Sequence, residues 1–129
     1  MLDEVTLRSA WIKALVSGKY KQTTEMLRHT DRRERNSYCC LGVLLDVIDH
    51  EAWRDDDKRG GSLGIGVWKH TNFSWDISEV PMQLFEKTIE AQNLATMNDA
   101  GHDFKSLAAY IIKNAVKLNL TDFNKHEKE

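Results

Sequence analysis

Residues 38–48 read YCCLGVLLDVI and form the most apolar stretch of the 129-residue chain. The large aliphatic side chains recur at helical spacing, at Leu41, Leu44, Leu45 and Ile48. Asn36 and Ser37 precede them and are good N-cap residues, so we expect a helix over about 38–50 that is buried on most sides. Gly42 inside it costs about 1 kcal/mol relative to alanine, which indicates that another backbone packs closely there.

Three further helices are predicted around this apolar one. The first covers about 3–17, with an acidic start at Asp3 and an apolar stripe on one face. Another covers about 79–92, with a proline in its first turn. The last covers about 103–118, with Asp103 as its N-cap.

A β-hairpin is predicted at about 63–77, because apolar and small or polar residues alternate on both sides of a polar turn. The polar run at 54–61, RDDDKRGG, is typical of a loop before it. Four tryptophans in so small a chain will not all be buried, so we expect Trp68 or Trp75 to face a partner.

These elements predict an α+β, mainly helical fold, with about four helices packed round the central apolar helix and one small β-hairpin. The chain is long enough for one domain, 1–129, and we expect its polar end at 119–129 to fray. The predicted core comprises Trp11, Leu15, Leu41, Leu44, Ile48, Leu84, Phe85, Ile89, Leu107 and Ile111.

Composition and charge exclude several classes of protein. Apolar residues make up 41% and charged residues 29%, which is ordinary for a folded domain. No apolar run is long enough for a membrane helix, and the first residues lack the pattern of a secretory signal. The two cysteines, Cys39 and Cys40, are adjacent and cannot join distant segments. We therefore expect a cytoplasmic protein with no membrane contact.

The charge is unevenly distributed along the chain. Residues 19–35 carry six lysines and arginines against three acids, a local net charge of +3. Because the whole chain has a net charge of −2, the residues outside this segment carry −5. That negative charge would repel a long nucleic acid while tolerating a small anion. The basic segment is thus either a contact surface or a solvated loop whose arginines pair with Glu25, Asp31 and Glu34.

The basic segment is the best candidate for a binding site, because it mixes cations, aromatic rings and an amide. Its candidate contact residues are Lys19, Tyr20, Lys21, Gln22, Arg28, Arg32, Arg35 and Tyr38. Asn98 and Asp99 lie in a predicted loop and are further candidates, although turns use the same residue types for their own backbone.

No catalytic signature is present, so we expect a non-enzymatic protein without cofactor or metal. Cys39 and Cys40 are predicted to be small buried thiols rather than nucleophiles or zinc ligands. Asp46 and His50 are one helical turn apart and could hold a divalent cation or share a proton. Solvation at the end of a helix explains them equally well, and we favour that interpretation.

Three motifs resemble a family of small, largely hypothetical proteins of tailed bacteriophages. They are Tyr20-Lys21-Gln22-Thr23, the run Tyr38-Cys39-Cys40-Leu41-Gly42-Val43-Leu44, and Leu94-Ala95-Thr96-Met97-Asn98-Asp99-Ala100-Gly101 with Phe104 and Leu107-Ala108 after it. The last is similar to the family segment LA-x-LND-x-G-x-SF-x-x-IA, with Met97 for its second leucine and Asp103 for its serine. The resemblance implies a phage origin and no particular reaction.

A small phage protein of this kind is expected to work in the cytoplasm of an infected bacterium by binding and inhibiting or modulating a host protein, including one of a defence system. The alternative is binding and sequestration of a small anionic ligand such as a nucleotide signal. Phosphates would then contact Lys21, Arg28 and Arg32 or Arg35, with the base stacked on Tyr20 or Tyr38 and its edge contacting Gln22 or Asn98. The pocket could lie between helices or between protomers, so a homo-oligomer stays open.

Overall fold

In the computed structural model, residues 2–57, 64–68, 80–121 and 124 are described, and they form an α+β, mainly helical fold as predicted. The elements in chain order are α1 (Glu4–Val16), β1 (Arg28–Thr30), β2 (Asn36–Tyr38), α2 (Cys40–Ile48), a 3-10 turn (His50–Ala52), β3 (Trp53–Asp57), β4 (Gly64–Trp68), α3 (Val80–Gln83), α4 (Thr88–Asp99) and α5 (Phe104–Lys113). Within those described ranges, no helix is both long and apolar enough to cross a bilayer.

Helix α2 is the centre of the molecule, as its composition predicts, and it packs against α1, α3 and α4. The predicted caps, Asn36 and Ser37, are wrong, because both residues belong to β2 and pair with β1. Cys39 is the N-cap instead, and its Sγ accepts a hydrogen bond from the backbone N–H of Gly42 at 3.4 Å.

The Asp103 cap of the last helix is confirmed, and Asp3, predicted as the acidic start of the first helix, is its N-cap. Asp3 accepts a hydrogen bond from the Thr6 N–H at 2.9 Å, and Asp103 accepts one from the Ser106 N–H at the same distance. Each carboxylate satisfies an N–H that has no partner inside its helix. The last helix nevertheless ends at Lys113, five residues before the predicted end, because the chain turns at Ala115, whose φ is +48°.

The predicted helix at 79–92 is wrong in its bounds. Helix α3 is a single turn, and α4 runs from Thr88 to Asp99, so Asn98 and Asp99 belong to a helix rather than to the predicted loop. This later helix buries Ala91 and Leu94 and leaves Ile89 57% exposed. Tertiary packing, rather than the apolar periodicity read from the sequence, sets the register of α4.

The described strands form one antiparallel sheet with the order β2-β1-β4-β3. The first strand of the predicted hairpin exists as β4, but it pairs with β3 before it, through Trp53↔Trp68 and Arg54↔Val67. Residues 54–57 are therefore a strand and not the predicted loop, since ladder hydrogen bonds need only the backbone. The second predicted strand, around 73–77, lies outside the described residues, as does Trp75; Trp68 is described only as part of β4.

The core is built around Trp11, which is fully buried. Its indole N–H donates to the carbonyl of Cys40 at 2.9 Å, and its ring meets Phe85 edge-on with centroids 5.7 Å apart. The predicted core is confirmed except that Ile48 is half-buried and Ile89 is exposed.

The predicted fraying does not apply to the start of the 119–129 tail. Leu120 is only 5% exposed, because it packs into the core. Further along, the Asn124 amide pairs with both the N–H and the carbonyl of Leu2, at 2.8 and 3.0 Å.

Candidate functional site

The basic segment is held against α2 by a backbone contact at Gly42. A Cβ at this position would lie 1.8 Å from the carbonyl oxygen of Leu27, and the same carbonyl accepts a hydrogen bond from the Cys39 N–H at 3.2 Å. The close approach predicted from the glycine is confirmed. It fixes the chain before β1 onto the first turn of the central helix.

A buried carboxylate organises the other end of α2. Asp46 is 6% exposed and accepts hydrogen bonds from the Tyr20 hydroxyl at 2.5 Å and from the Trp53 indole N–H at 3.0 Å. The Nδ1 atom of His50 lies 2.7 Å from Oδ1 of Asp46, the oxygen that also accepts from Trp53. These four residues are called the Asp46 cluster below. The solvation favoured from the sequence is wrong for Asp46.

The Asp46 cluster keeps the phenol of Tyr20 protonated. Burial raises the pKa of Tyr20, and the hydrogen bond to Asp46 raises it further. Burial likewise raises the pKa of Tyr38, with the Asp46 carboxylate adding to the effect and Arg28 opposing it. Both phenols therefore stay neutral in the range where proteins work, and Tyr20 remains a hydrogen-bond donor.

Three aromatic rings and one guanidinium continue the cluster into the sheet. Tyr38 meets Tyr20 and Trp53 edge-on, with centroids 5.1 and 6.0 Å apart. The guanidinium carbon of Arg28 lies 5.0 Å from the Trp53 ring centroid, and the residue is only 8% exposed. Arg28 is thus an interior cation stacked on an indole rather than part of an open cationic surface.

Asn98 closes a second set of internal contacts. It is fully buried, donates to the Thr23 carbonyl at 2.8 Å, and accepts from the Gln22 amide at 2.8 Å and from the Cys40 N–H at 3.2 Å. The Gln22 amide also donates to the carbonyl of His102 at 2.7 Å. Every polar atom of the Asn98 side chain thus has a partner inside the fold.

Asp99, the last residue of α4, also contacts the basic segment. Its carboxylate accepts the backbone N–H of Glu25 at 2.8 Å, where Glu25 has a φ of +65°. Both candidates from the C-terminal motif therefore attach the basic segment to the end of α4. The turn role weighed in the sequence is wrong, because these side chains bond distant segments and not the backbone of their own turn.

The turn between β1 and β2, residues 31–35, is organised by one partly exposed carboxylate. Asp31 accepts the backbone N–H groups of Arg33 and Arg35 at 2.8 and 2.9 Å, and its other oxygen accepts the Arg35 Nε–H at 2.9 Å. The Arg35 N–H lowers the pKa of Asp31. Arg32, Arg33 and Arg35 are exposed on this segment, which is called the arginine turn below.

The two cysteines are buried and unpaired with each other, as predicted. Burial raises the pKa of the Cys39 thiol to about 11, so it is a neutral thiol rather than a nucleophile. Among the residues that the structure describes, no group of three or more His, Cys, Asp and Glu side chains is arranged to hold a metal ion.

A cavity of about 480 Å³ lies away from all of the predicted binding residues, between the start of α1 and the C-terminal segment. Its lining includes the carboxylates of Glu4 and Glu86 and the apolar side chains of Leu2 and Leu118. Negative charge makes it a poor site for the anionic ligand considered from the sequence.

The predicted binding residues therefore separate into two sets. Lys19, Lys21, Arg32 and Arg35 are exposed. The inward-facing set makes internal contacts: Tyr20, Gln22, Arg28, Tyr38 and Asn98. Asp99 is exposed, but its carboxylate accepts the backbone N–H of Glu25. The sequence analysis considered Asp46 with His50 but favoured solvation, although a carboxylate inside an otherwise apolar helix was a signal for burial. It missed the contribution of Trp53.

Comparison with known proteins gives one match. A family model described as a domain of unknown function (DUF8296) matches residues 3–76, and neither a curated protein nor a solved structure matches the chain. The matched stretch includes the Asp46 cluster and the arginine turn, while Asn98 and Asp99 lie beyond it. Because the match covers more than half of the chain, the protein belongs to the DUF8296 family.

Proposed function

We propose that this is a non-enzymatic binding protein whose arginine turn contacts an acidic surface of a partner protein. The observation that carries the proposal is the Asp31 carboxylate, which organises a turn displaying three arginines at one end of the sheet. Arginine is enriched at protein interfaces because its planar guanidinium forms paired hydrogen bonds with carboxylates.

The turn is preorganised for such a contact. Besides the Asp31 side-chain bonds, the Asp31 N–H donates to the Arg35 carbonyl and the Glu34 N–H donates to the Asp31 carbonyl, both at 3.0 Å. A contact surface that is ordered before binding loses less conformational entropy on association. The backbone geometry of the turn thus supports recognition and not only solubility.

Charge supports the same assignment. The segment 19–35 has a local net charge of +3 in a chain of −2, so one region attracts acidic partners while the remainder repels them. Such asymmetry orients the encounter and raises the association rate. The phage resemblance makes a protein of the bacterial host, including one of a defence system, the partner that we propose.

The alternative of a small anionic ligand is less well supported by the geometry. Lys21, Arg32 and Arg35 are exposed and could contact a phosphate. Tyr38 and Asn98, which were to recognise the base, are buried and would have to leave internal contacts to do so. A nucleotide panel in the experiment below tests this alternative directly.

The test is capture of a partner from bacterial lysate by the purified protein and by an Arg32→Glu/Arg33→Glu variant. We expect a stoichiometric protein partner with the wild type and its loss with the variant, with affinity falling as salt rises. The matched control is Lys105→Glu/Lys113→Glu, which reverses two exposed charges on α5 and should retain the partner. Retention by the arginine variant, or turnover of any nucleotide, contradicts the proposal; stabilisation by a nucleotide favours the alternative.

A second variant separates geometry from charge. Asp31→Ala keeps every arginine and makes the turn more positive, but it removes the acceptor that orders them. We expect partner affinity to fall by roughly three- to tenfold, because the side chains must then be ordered on binding. An affinity that rises instead would show that charge alone matters.

A further inference from the structure

We propose that His50 is a phosphoryl acceptor, whose Nε2 atom is made nucleophilic by the Asp46 carboxylate. This inference is independent of the arginine turn. It rests on the geometry of an exposed imidazole held by a buried carboxylate, a pairing that the proposed binding function does not use.

The contact determines which ring nitrogen of His50 is reactive. Nδ1 lies 2.7 Å from Oδ1 of Asp46, and a carboxylate only accepts, so the proton of the neutral ring is on Nδ1. The lone pair is then on Nε2. Asp46 cannot rotate away easily, since Tyr20 and Trp53 also donate to it. This is the arrangement by which a carboxylate orients a reactive imidazole.

The imidazole is accessible although its partner is not. The His50 side chain is 73% exposed, whereas that of Asp46 is 5% exposed. A reagent can therefore reach the ring while the carboxylate stays shielded from water, and a shielded charge stabilises a developing imidazolium more strongly than a solvated one.

The charges near His50 are mixed. Asp49 and Glu51 flank it in the chain, and one oxygen of Asp49 accepts the Glu51 N–H at 3.1 Å. Two exposed lysines, Lys19 and Lys21, flank Tyr20, whose hydroxyl contacts the same Asp46 carboxylate. An anionic donor would be attracted by these lysines, which lie on the segment that contacts the cluster through Tyr20, and the double lysine variant below tests this.

The step is a direct transfer from a phosphoryl donor with a good leaving group, such as an N-phosphoryl compound. The Nε2 lone pair forms the N–P bond as the P–N bond of the N-protonated donor breaks, and the amine leaves as a neutral molecule with that electron pair and its proton. The ring becomes an imidazolium whose Nδ1 proton stays hydrogen-bonded to Asp46. No oxidation or reduction takes place.

The experiment uses phosphoramidate as donor with the intact protein, and mass spectrometry of the acid-labile product at each of the five histidines. His102 is the internal control, because it is exposed and no hydrogen bond in the described part of the chain joins its ring to a carboxylate, although the Asp103 carboxylate lies beside it. We expect His50 to react at least about tenfold faster than His102, less than the factors of about 10²–10⁴ that positioned partners supply in enclosed sites.

Variants and a second reagent make the outcome decisive. Asp46→Asn should abolish the difference in reaction rate between His50 and His102. Lys19→Ala/Lys21→Ala should slow the reaction of His50 with phosphoramidate but not its reaction with the neutral reagent diethyl pyrocarbonate. Should Asp46→Asn fail to fold, ¹⁵N chemical shifts of the wild-type His50 ring report the Nδ1–H form without any substitution. Equal rates at His50 and His102 overturn the proposal, as does a His50 that reacts faster only with diethyl pyrocarbonate.

Discussion

The Asp46 cluster and the arginine turn are each built around one aspartate that accepts three hydrogen bonds, yet their surroundings are opposite. Asp46 is buried and accepts from three side chains of separate elements. Asp31 is partly exposed and accepts from two backbone N–H groups and one side chain within a single turn. The same device therefore stabilises the interior at one site and shapes a surface loop at the other.

The two aspartates differ in whether water can replace them as hydrogen-bond acceptors. When a donor in the arginine turn loses Asp31, water replaces the lost acceptor at once, so the free energy of unfolding changes little. The Tyr20 and Trp53 donors that lose Asp46 stay largely shielded and lack an acceptor. Asp46 is thus expected to matter for stability, and Asp31 for the conformation of the turn.

The largest expected effect comes from breaking the contact that holds both regions in place. Gly42→Ala places a Cβ 1.8 Å from the Leu27 carbonyl oxygen, a backbone atom that cannot move without displacing the chain before β1. We expect a loss of roughly 4 kcal/mol in the free energy of unfolding, measured by urea denaturation.

Gly101→Ala is the matched control for this substitution. Gly101 has a φ of +99°, but a Cβ there meets no atom within 4 Å. It should cost only about 1–2 kcal/mol, the usual cost of an alanine at positive φ. Equal losses for the two variants would mean that the close approach at Gly42 is unimportant.

The next effect separates the two aspartates. Asp46→Ala should destabilise the protein by about 3 kcal/mol, because it leaves two shielded donors without an acceptor. Asp31→Ala should leave the free energy of unfolding nearly unchanged while altering the amide NMR shifts of Arg33 and Arg35. Similar destabilisation by both variants contradicts the distinction between the two sites.

The smallest effect is the contribution of Tyr20 to the alkaline pH dependence of stability. The pKa of Tyr20 is raised above its ordinary value of 10.0 by burial and by the Asp46 hydrogen bond. Between that value and the raised one, the folded state binds more protons at Tyr20 than the unfolded state, so the Tyr20 contribution is complete below pH 10 and falls as the pH rises. The buried groups Cys39 and Tyr38, whose pKa values are also raised, add to the alkaline decline. Urea denaturation from pH 8 to 11 should show this decline, with a shallower slope in Tyr20→Phe; an unchanged slope would exclude Tyr20 as its source.

Much of the helical framework could be predicted from the sequence. The apolar run of α2, the acidic start at Asp3, the cap Asp103 and the close approach at Gly42 are local signals, and the structure confirms each one. The strands were harder to predict. Strands β1 and β2 have three residues each, and β3 is acidic, so neither length nor alternation marked them.

The candidate site was only half predictable. Residue types identified the exposed cations of the basic segment, but not that Arg28 turns inward to stack on Trp53 or that Asn98 is fully buried. A side chain's exposure depends on what packs over it from distant parts of the chain, and single-residue chemistry does not encode that.

The sequence by itself determined the central helix, the Asp103 cap of the last helix and the local charge asymmetry, because each depends on neighbours within a few residues. Only the tertiary structure decided that Tyr20, Asp46, His50 and Trp53 meet, and that β4 pairs with β3 and β1. Hydrogen bonds between distant segments form where packing brings donors and acceptors within about 3 Å, and that distance is a property of the whole fold.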